Sequence, residues 1–302
     1  MRANAAGLCL SLIFGAGVCM AQDAPQDAQQ NAPLPEHAWV KPNHPDRSQV
    51  YCSGFVSDQK VADDTYLISG EQSNIKISFA QGDYVYINKG MNQGVREGDR
   101  YQAVRPESDP DKLSWFRWQK KLMKAMGTSY SDLGEIRVVK VQPTVSIGIV
   151  TRSCAYMQRG DIVRPFVERP VGPFKDASTF DHFAPLSGKP VAMVVASKDW
   201  AQLVGKNDTI YVNLGTNQGV KPGDYFRIFR YQGSHSEAAP IEKNYQYKMF
   251  GYGSTPQRYS WNDLPREILG EGIVLNASHN SSTVLITFSS ADIYAGDYVE
   301  VE

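Results

Sequence analysis

A glycine-punctuated segment occurs twice in this chain, and the duplication constrains the fold more than any other feature. The first copy covers 82–101 and the second covers 207–226. Eleven residues recur 125 positions later without a gap, and shorter matches follow at Leu133 and Leu269. The residues that recur are Asp83, Tyr86, Asn88, Gly90, Asn92, Gln93, Gly94, Val95, Gly98, Asp99 and Arg105. Agreement of this extent indicates a tandem duplication of one domain.

The spacing of apolar residues predicts strands in both copies. Ile136 and Val138 are apolar on either side of a polar residue, and Val284 and Ile286 have the same spacing in the second copy. Short β-branched and aromatic runs bounded by Gly, Asn and Asp are typical of strands joined by tight turns. The chain is therefore predicted to be mainly β, with two tandem small barrel-like β domains, the first with one inserted amphipathic helix. The predicted structural turn residues are Gly90, Gly94, Gly98, Asp99, Gly215, Gly219, Gly223 and Asp224.

The N-terminal residues predict export. Arg2 precedes an apolar stretch at 5–18, and the small residues Cys19 and Ala21 follow it. This pattern is typical of a secretory signal peptide cleaved after Ala21, and the stretch is short for a membrane-spanning helix. A lipoprotein anchored through Cys19 is the alternative, and the bulky Val18 before that cysteine disfavours it. We expect a periplasmic or otherwise exported protein.

Two proline-rich segments separate the rest of the chain into a tether, a linker and two domains. Prolines among Gln, Ala and Asp predict a tether without packed structure, and prolines with no regular apolar spacing predict a linker farther on. No later apolar stretch is long enough for a spanning helix, so no transmembrane segment is predicted in the mature chain. The predicted segments are a signal peptide (1–21), a disordered tether (22–48), a first β repeat domain (49–166, here repeat 1), a linker (167–185) and a second β repeat domain (186–302, here repeat 2).

The four cysteines of the chain become two after signal-peptide cleavage. Cys52 and Cys154 would then lie in a compartment that permits disulfides, and an even pair in an exported chain favours a bridge between them. Two buried free thiols are the alternative. A catalytic cysteine is disfavoured because no histidine or acid partner stands out near either residue.

Charge and motif content argue against several function classes. The formal net charge is −1, whereas a nucleic-acid binder needs a basic excess to neutralise phosphates. The glycine pattern lacks the Gly-Lys-Ser/Thr sequence of a phosphate loop, and the scattered histidines lack metal-site spacing. The repeated Gly-Asp pairs, which include Asp161 and Asp297, are interpreted as turn caps rather than paired acid–base carboxylates. We predict no catalytic residue, no metal ligand and no cofactor.

The two copies differ mainly in one long insert each, which is where binding surfaces usually diverge on a shared scaffold. In the first insert, 111–126 has the spacing of an amphipathic helix, with Trp and Leu on one arc and Lys on the other. The second insert, within 231–261, is rich in tyrosine. The alternative for both inserts is packing onto their own domain. The candidate partner-binding residues are Trp115, Trp118, Lys120, Lys121, Lys124, Tyr245, Tyr247 and Tyr252.

The second copy resembles a known family. The run at 211–226, the Leu-Gly-Glu at 269–271 and the segment at 293–297 are similar to the C-terminal domain of flagellar assembly protein T and of related uncharacterised envelope proteins. Both copies carry the pattern, so it covers most of the mature chain. The resemblance implies a small periplasmic β domain that works in envelope assembly without known catalysis. The chain departs from the family by duplicating the domain, and it shows no LysM-like segment.

Three functional hypotheses follow. The first is a non-enzymatic exported envelope scaffold or interaction protein that binds protein partners through its inserts. The second is a peptidoglycan or polysaccharide binder, in which tyrosines of the second insert stack on sugar rings. The third is an unrecognised hydrolase, which would require a pocket lined by convergent ionisable groups.

Overall fold

The computed structural model describes residues 43–109, 114–176, 180–232 and 265–302. The predicted signal peptide, most of the predicted tether and most of the second insert lie outside these ranges. Two helices are present among the described residues, α1 (Arg47–Tyr51) and α2 (Gln119–Met126).

The described part of repeat 1 contains nine strands. They are β1 (Phe55–Ser57), β2 (Leu67–Gly70), β3 (Ser78–Phe79), β4 (Tyr84–Ile87), β5 (Arg100–Glu107), β6 (Thr128–Val141), β7 (Ser146–Ser153), β8 (Met157–Gln158) and β9 (Ile162–Pro165).

The described part of repeat 2 contains eight strands. They are β10 (Val191–Ser197), β11 (Leu203–Val204), β12 (Thr209–Val212), β13 (Tyr225–Arg230), β14 (Glu267–Ala277), β15 (Ser282–Ser289), β16 (Ile293–Tyr294) and β17 (Tyr298–Val301).

Both repeats have the same antiparallel topology. Repeat 1 has the strand order β2-β4-β7-β6-β5-β9, and repeat 2 has the matching order β10-β12-β15-β14-β13-β17, which closes into a barrel. In repeat 1 the outer strands β2 and β9 approach through one bridge, between Tyr66 and Ile162. A backbone bond from Val163 N to Thr65 O supports the same closure. The prediction of a mainly β fold with two barrel-like domains is confirmed.

Alternation along the strands fills each barrel. Val85 and Ile87 of β4 are fully buried, and so are their counterparts Ile210 and Val212 of β12. Each set belongs to a separate apolar cluster, one in each repeat. Full burial of such a side chain stabilises the folded protein by about 1.5–3 kcal/mol. Because the two clusters are separate, each repeat has its own core.

The repeated glycines and aspartates form one kind of turn. Gly98 and Gly223 have φ of 90° and 92°, in the left-handed region that favours glycine. The following aspartates accept the backbone N–H three residues earlier, from Arg96 to Asp99 at 2.9 Å and from Lys221 to Asp224 at 2.8 Å. The Gly-Asp pairs therefore cap turns before strands. Gly94 and Gly219 also have positive φ and end short 3-10 turns, at whose starts Gly90 and Gly215 lie.

The segments predicted to connect the domains contact the barrels. Helix α1 begins at Arg47, inside the predicted tether, and its N-terminus is capped by Asp46, whose side chain accepts the Gln49 N–H. Val50 and Tyr51 pack with Ile273, Leu275 and Leu285 of repeat 2. The helix is ordered because this apolar face is buried, which the proline content of the segment did not indicate.

The described part of the linker is irregular but is held by ionic contacts. Arg169 contacts the carboxylate of Asp132, a fully buried side chain, at 3.2 Å, and Lys175 lies 3.1 Å from Glu271. Burial, together with the neighbouring Arg169, lowers the pKa of Arg164 to about 10, although Asp132 opposes the shift. The linker therefore adds charges to both barrels.

The predicted Cys52–Cys154 disulfide is confirmed. Cys52 is the C-cap residue of α1, and Cys154 directly follows β7. The bond therefore attaches α1 to repeat 1, while the apolar face of the same helix packs on repeat 2.

Candidate functional site

Helix α2, from the first insert, lies at the junction between the two repeats. Met126 is buried, and Leu122 and Met123 pack beside it against the outer face of repeat 2. Gln119 Nε2 donates to Val195 O at 2.8 Å. The helix has an apolar stripe because residues 122, 123 and 126 fall on one face at helical spacing. The first insert therefore joins the two repeats.

The helix differs from its prediction at the N-terminal end. It begins at Gln119 rather than at residue 111, and residues 110–113 lie outside the described ranges. Trp115 is half-buried, and its backbone N–H donates to Gln119 Oε1 at 2.7 Å. Trp118 is the N-cap residue and is 44% exposed. Trp118 does not belong to the apolar cluster that contains Leu122 and Met126, so the buried stripe begins inside the helix.

Trp118 instead lies among cations. The Cζ atom of Arg117 is 4.7 Å from the Trp118 ring centroid, and Lys121 Nζ is 5.8 Å away. Both are within the range of cation–π contacts. Lys120, Lys121 and Lys124 are exposed. We call this set, Arg117, Trp118, Lys120, Lys121 and Lys124, the basic tryptophan face.

A groove of about 420 Å³ adjoins the basic tryptophan face. Its other wall includes Trp200 of repeat 2, a non-glycine residue with φ of 58° in the left-handed region. Such a conformation costs about 1–3 kcal/mol and persists where surrounding contacts enforce it. The ionisable and apolar lining residues are Glu107, Asp109, Lys120, Met123, Lys124 and Trp200. The lining mixes both charge signs with an aromatic ring.

A second cleft, of about 470 Å³, lies between α1 and the β10–β12 region of repeat 2. Its lining is mixed, with the polar residues Ser48, Lys198 and Asp208 beside the apolar Leu285. Asp208 accepts the Gly205 N–H at 2.8 Å and so caps a turn. This cleft is a gap between the helix and the barrel.

Carboxylates buried at equivalent positions form ion pairs in both repeats. Arg105 makes a two-bond contact with Asp161, at 2.8 and 2.8 Å, and Arg230 makes the same contact with Asp297, at 2.7 and 2.7 Å. Burial raises the pKa of the Asp297 carboxyl, and its bond to Arg230 opposes the shift. These carboxylates therefore have structural partners in both repeats.

Glu135 and Glu271 are also equivalent and buried. Glu135 forms ion pairs with Arg47 and Arg100, each at 3.3 Å, whereas Glu271 forms an ion pair with Lys175. Burial and the nearby Glu302 carboxylate raise the pKa of Glu271. The repeated Leu-Gly-Glu sequence identifies the two glutamates as equivalent positions. The cations that pair with them differ between the repeats and lie far from them in the sequence.

The contacts between the repeats were not predicted from sequence. Tyr211 Oη donates to Ser53 O at 2.9 Å, and Ser281 Oγ donates to Val56 O at 2.6 Å. Burial raises the pKa of Tyr211. Gly54, with φ of 67°, lies against this tyrosine, and a Cβ atom there would be 2.4 Å from Tyr211 Oη. The junction is thus closely packed and specifically bonded.

Gly54→Ala is expected to destabilise the protein by about 1–3 kcal/mol, because the added methyl group clashes with Tyr211 and with Tyr130 O. Equilibrium urea unfolding measures the loss. Gly94→Ala is the matched control, because Gly94 also has positive φ but its Cβ would meet nothing within 4 Å. Equal losses in the two variants would show that backbone strain, not the junction, carries the effect.

Other predicted sites have the following outcomes. Tyr245, Tyr247 and Tyr252 lie outside the described residues. In the described ranges, no group of three His, Cys, Asp or Glu side chains is placed to hold a metal ion. His182 and His279 each lie near one carboxylate, Glu267 at 3.3 Å and Asp58 at 3.5 Å. Among the described residues no helix is long and apolar enough to cross a membrane.

The fold and its junction define a duplicated β-barrel protein with one disulfide and an inserted helix that joins the repeats. No protein-family model matches the chain, and no curated protein matches it. The resemblance to the C-terminal domain of flagellar assembly protein T stays a prediction.

Proposed function

We propose that this protein is a non-enzymatic, exported component of the cell envelope that binds a protein partner through the basic tryptophan face. One observation carries the proposal: Trp118 is held half-exposed at the N-terminus of a helix whose apolar side packs between the two repeats. Tryptophan and arginine are enriched at protein interfaces, and a rigid anchor lowers the entropic cost of binding.

The charge of this face indicates the chemistry of the partner. Arg117 and Lys121 lie over the Trp118 ring, and Lys120 and Lys124 are exposed on the same helix. We therefore expect the complementary surface to be acidic, with an apolar pocket for the indole. Attraction between opposite charges raises the association rate and falls with ionic strength. We expect binding that weakens as salt is added.

Site-specific photocross-linking tests this proposal in intact envelopes. A photoreactive phenylalanine analogue replaces Trp118, and the control carries it at Met91, which is 62% exposed on a turn of repeat 1. A discrete adduct at position 118 but not at position 91 supports the proposal. Adducts of equal yield at both positions, or none at either, would contradict it.

Two triple charge-reversal variants test whether the lysines of the basic tryptophan face are needed for the cross-linked adduct. Lys120→Glu, Lys121→Glu and Lys124→Glu together should abolish the adduct. The control reverses Lys140, Lys206 and Lys221, which are exposed outside this face and give the same change in net charge. Co-sedimentation with isolated peptidoglycan sacculi tests the alternative: saturable pelleting that survives the first reversal would favour a wall-binding protein instead.

A further inference from the structure

The groove beside the basic tryptophan face is built by both repeats. In repeat 1 its walls include Glu107 at the end of β5, Thr128 at the start of β6 and one side of α2. Repeat 2 contributes Trp200, from the turn that follows β10. The groove is therefore a feature of the junction and not of either barrel alone.

Helix α2 supplies a wall that is both basic and apolar. Lys120, Met123 and Lys124 line the groove, and their spacing of three and four residues places them on one side of the helix. Both lysines are exposed, whereas Met123 is half-buried and also packs against the apolar cluster at the junction. The α2 wall thus combines two cations with one thioether side chain.

The turn that holds Trp200 does not itself require a tryptophan. Trp200 has φ of 58°, and Gln72 has φ of 52° in the turn that follows β2, the equivalent strand of repeat 1. The same backbone conformation therefore occurs with glutamine. Trp200 is half-buried and packs against the same apolar cluster as Met123. These two side chains give the groove its apolar surface.

The charges that line the groove do not pair with one another. Glu107, Lys120 and Lys124 are all exposed, and within the ranges that the structure describes none of them forms an ion pair. The carboxylate lies at the end of β5 and the two cations lie on α2, so opposite charges occupy different walls. A bound segment that carries both charge signs would complement both walls.

We propose that the groove holds an extended segment of the protein partner, in which an apolar side chain lies between a carboxylate and a cation. The apolar side chain contacts Met123 and Trp200, the carboxylate faces the lysines of α2, and the cation faces Glu107. The groove volume of about 420 Å³ falls within the range of about 300–1,000 Å³ that is usual for ligand pockets. It therefore accepts a short segment and not a folded domain.

This inference rests on the proposed function, because Lys120 and Lys124 belong both to the groove and to the basic tryptophan face. It adds the requirement for a cation in the partner. An acidic partner that contacted the basic tryptophan face alone would have no use for Glu107. The effect of Glu107 on binding therefore separates the two proposals.

Glu107→Lys should raise the dissociation constant of the partner at least about tenfold, because it places two cations together in the groove. Attraction of an acidic partner to the basic tryptophan face alone predicts the opposite sign, since the change adds a favourable charge. Glu97→Lys is the matched control. Glu97 is exposed on a turn of repeat 1, and its replacement gives the same change in net charge without altering the groove.

Trp200→Gln tests the apolar contact. Glutamine occurs at φ of 52° in the equivalent turn of repeat 1, so the backbone should be kept while the indole is lost. We expect the dissociation constant to rise about fivefold or more. Urea unfolding reports any loosening of the junction. Glu107 belongs to no apolar cluster of the described residues, so the Glu107→Lys result stands even if Trp200→Gln destabilises the protein.

Photocross-linking of the full chain in intact envelopes identifies the segment that enters the groove. The photoreactive phenylalanine analogue replaces Ser108, an exposed residue of the groove lining. Mass spectrometry compares its adduct with the one formed at position 118, and the same partner protein should be joined at both positions. That protein, once purified, is the probe for the dissociation constants of all the variants.

The possible outcomes distinguish the two proposals. No adduct at position 118 overturns the proposed function and this inference with it. An adduct at position 118 without one at position 108 overturns this inference alone. The same holds for an adduct at position 108 that joins two copies of this chain or a different protein. Tighter binding by Glu107→Lys, or equal weakening by Glu107→Lys and Glu97→Lys, also overturns it.

Discussion

Reduction of the Cys52–Cys154 disulfide is expected to lower the free energy of unfolding by about 4.7 kcal/mol, the chain-entropy value for a closed loop of about 100 residues. The two cysteines are separated by 102 positions, so the bond excludes many extended conformations of the unfolded chain. In the folded protein it also holds α1, whose Val50 and Tyr51 contact repeat 2. Loss of the bond therefore weakens a contact between the repeats as well.

Urea unfolding of the oxidised and the reduced protein measures this effect. Cys52→Ser with Cys154→Ser, unfolded without reductant, should match the reduced wild type, which separates the bond itself from any effect of the reductant. Identical urea midpoints for the oxidised and reduced forms would refute the expectation.

Arg230→Met is expected to cost about 3–5 kcal/mol, because it leaves the Asp297 carboxylate buried without its partner. The Asp297 side chain has no solvent exposure, and Arg230 contacts both of its oxygens at 2.7 Å. Asp297→Asn in the same chain should recover part of the loss, since a neutral amide is less costly to bury and its oxygen still accepts the Tyr294 N–H.

The loss should also depend on pH. Burial raises the pKa of Asp297, and removal of Arg230 removes the contact that opposes this shift. A carboxyl with a raised folded-state pKa binds its proton more tightly when folded, so the associated stability is present at low pH and is lost as pH rises through that pKa. The cost of Arg230→Met should therefore be larger at pH 7 than at pH 4.

The duplication provides a matched comparison. Arg105→Met breaks the equivalent pair with Asp161 in repeat 1, where the carboxylate is almost as buried, and should cost a similar amount. Unfolding at both pH values measures all these variants. A loss below about 1 kcal/mol for Arg230→Met, or a loss that does not change with pH, would contradict the account.

Local patterns made the barrels predictable. The positions of Gly98, Asp99 and their counterparts follow from turn chemistry within four residues, and the duplication repeats each signal. The disulfide followed from having two cysteines in a chain predicted to be exported. The predicted start of α2 was too early. The apolar spacing that predicts the helix includes Trp115 and Trp118, which lie before its first residue, Gln119.

The sequence by itself therefore determined the duplicated β topology, the turns and the cysteine pair, because each depends on nearby residues or on comparison of one copy with the other. Only the tertiary structure decided that α2 joins the repeats and that Trp118 is 44% exposed beside Arg117 and Lys121. These features depend on contacts such as Tyr211 with Ser53, which are 158 positions apart. Periodicity shows which side of an element is apolar, whereas the neighbour that covers that side is selected by packing across the whole chain.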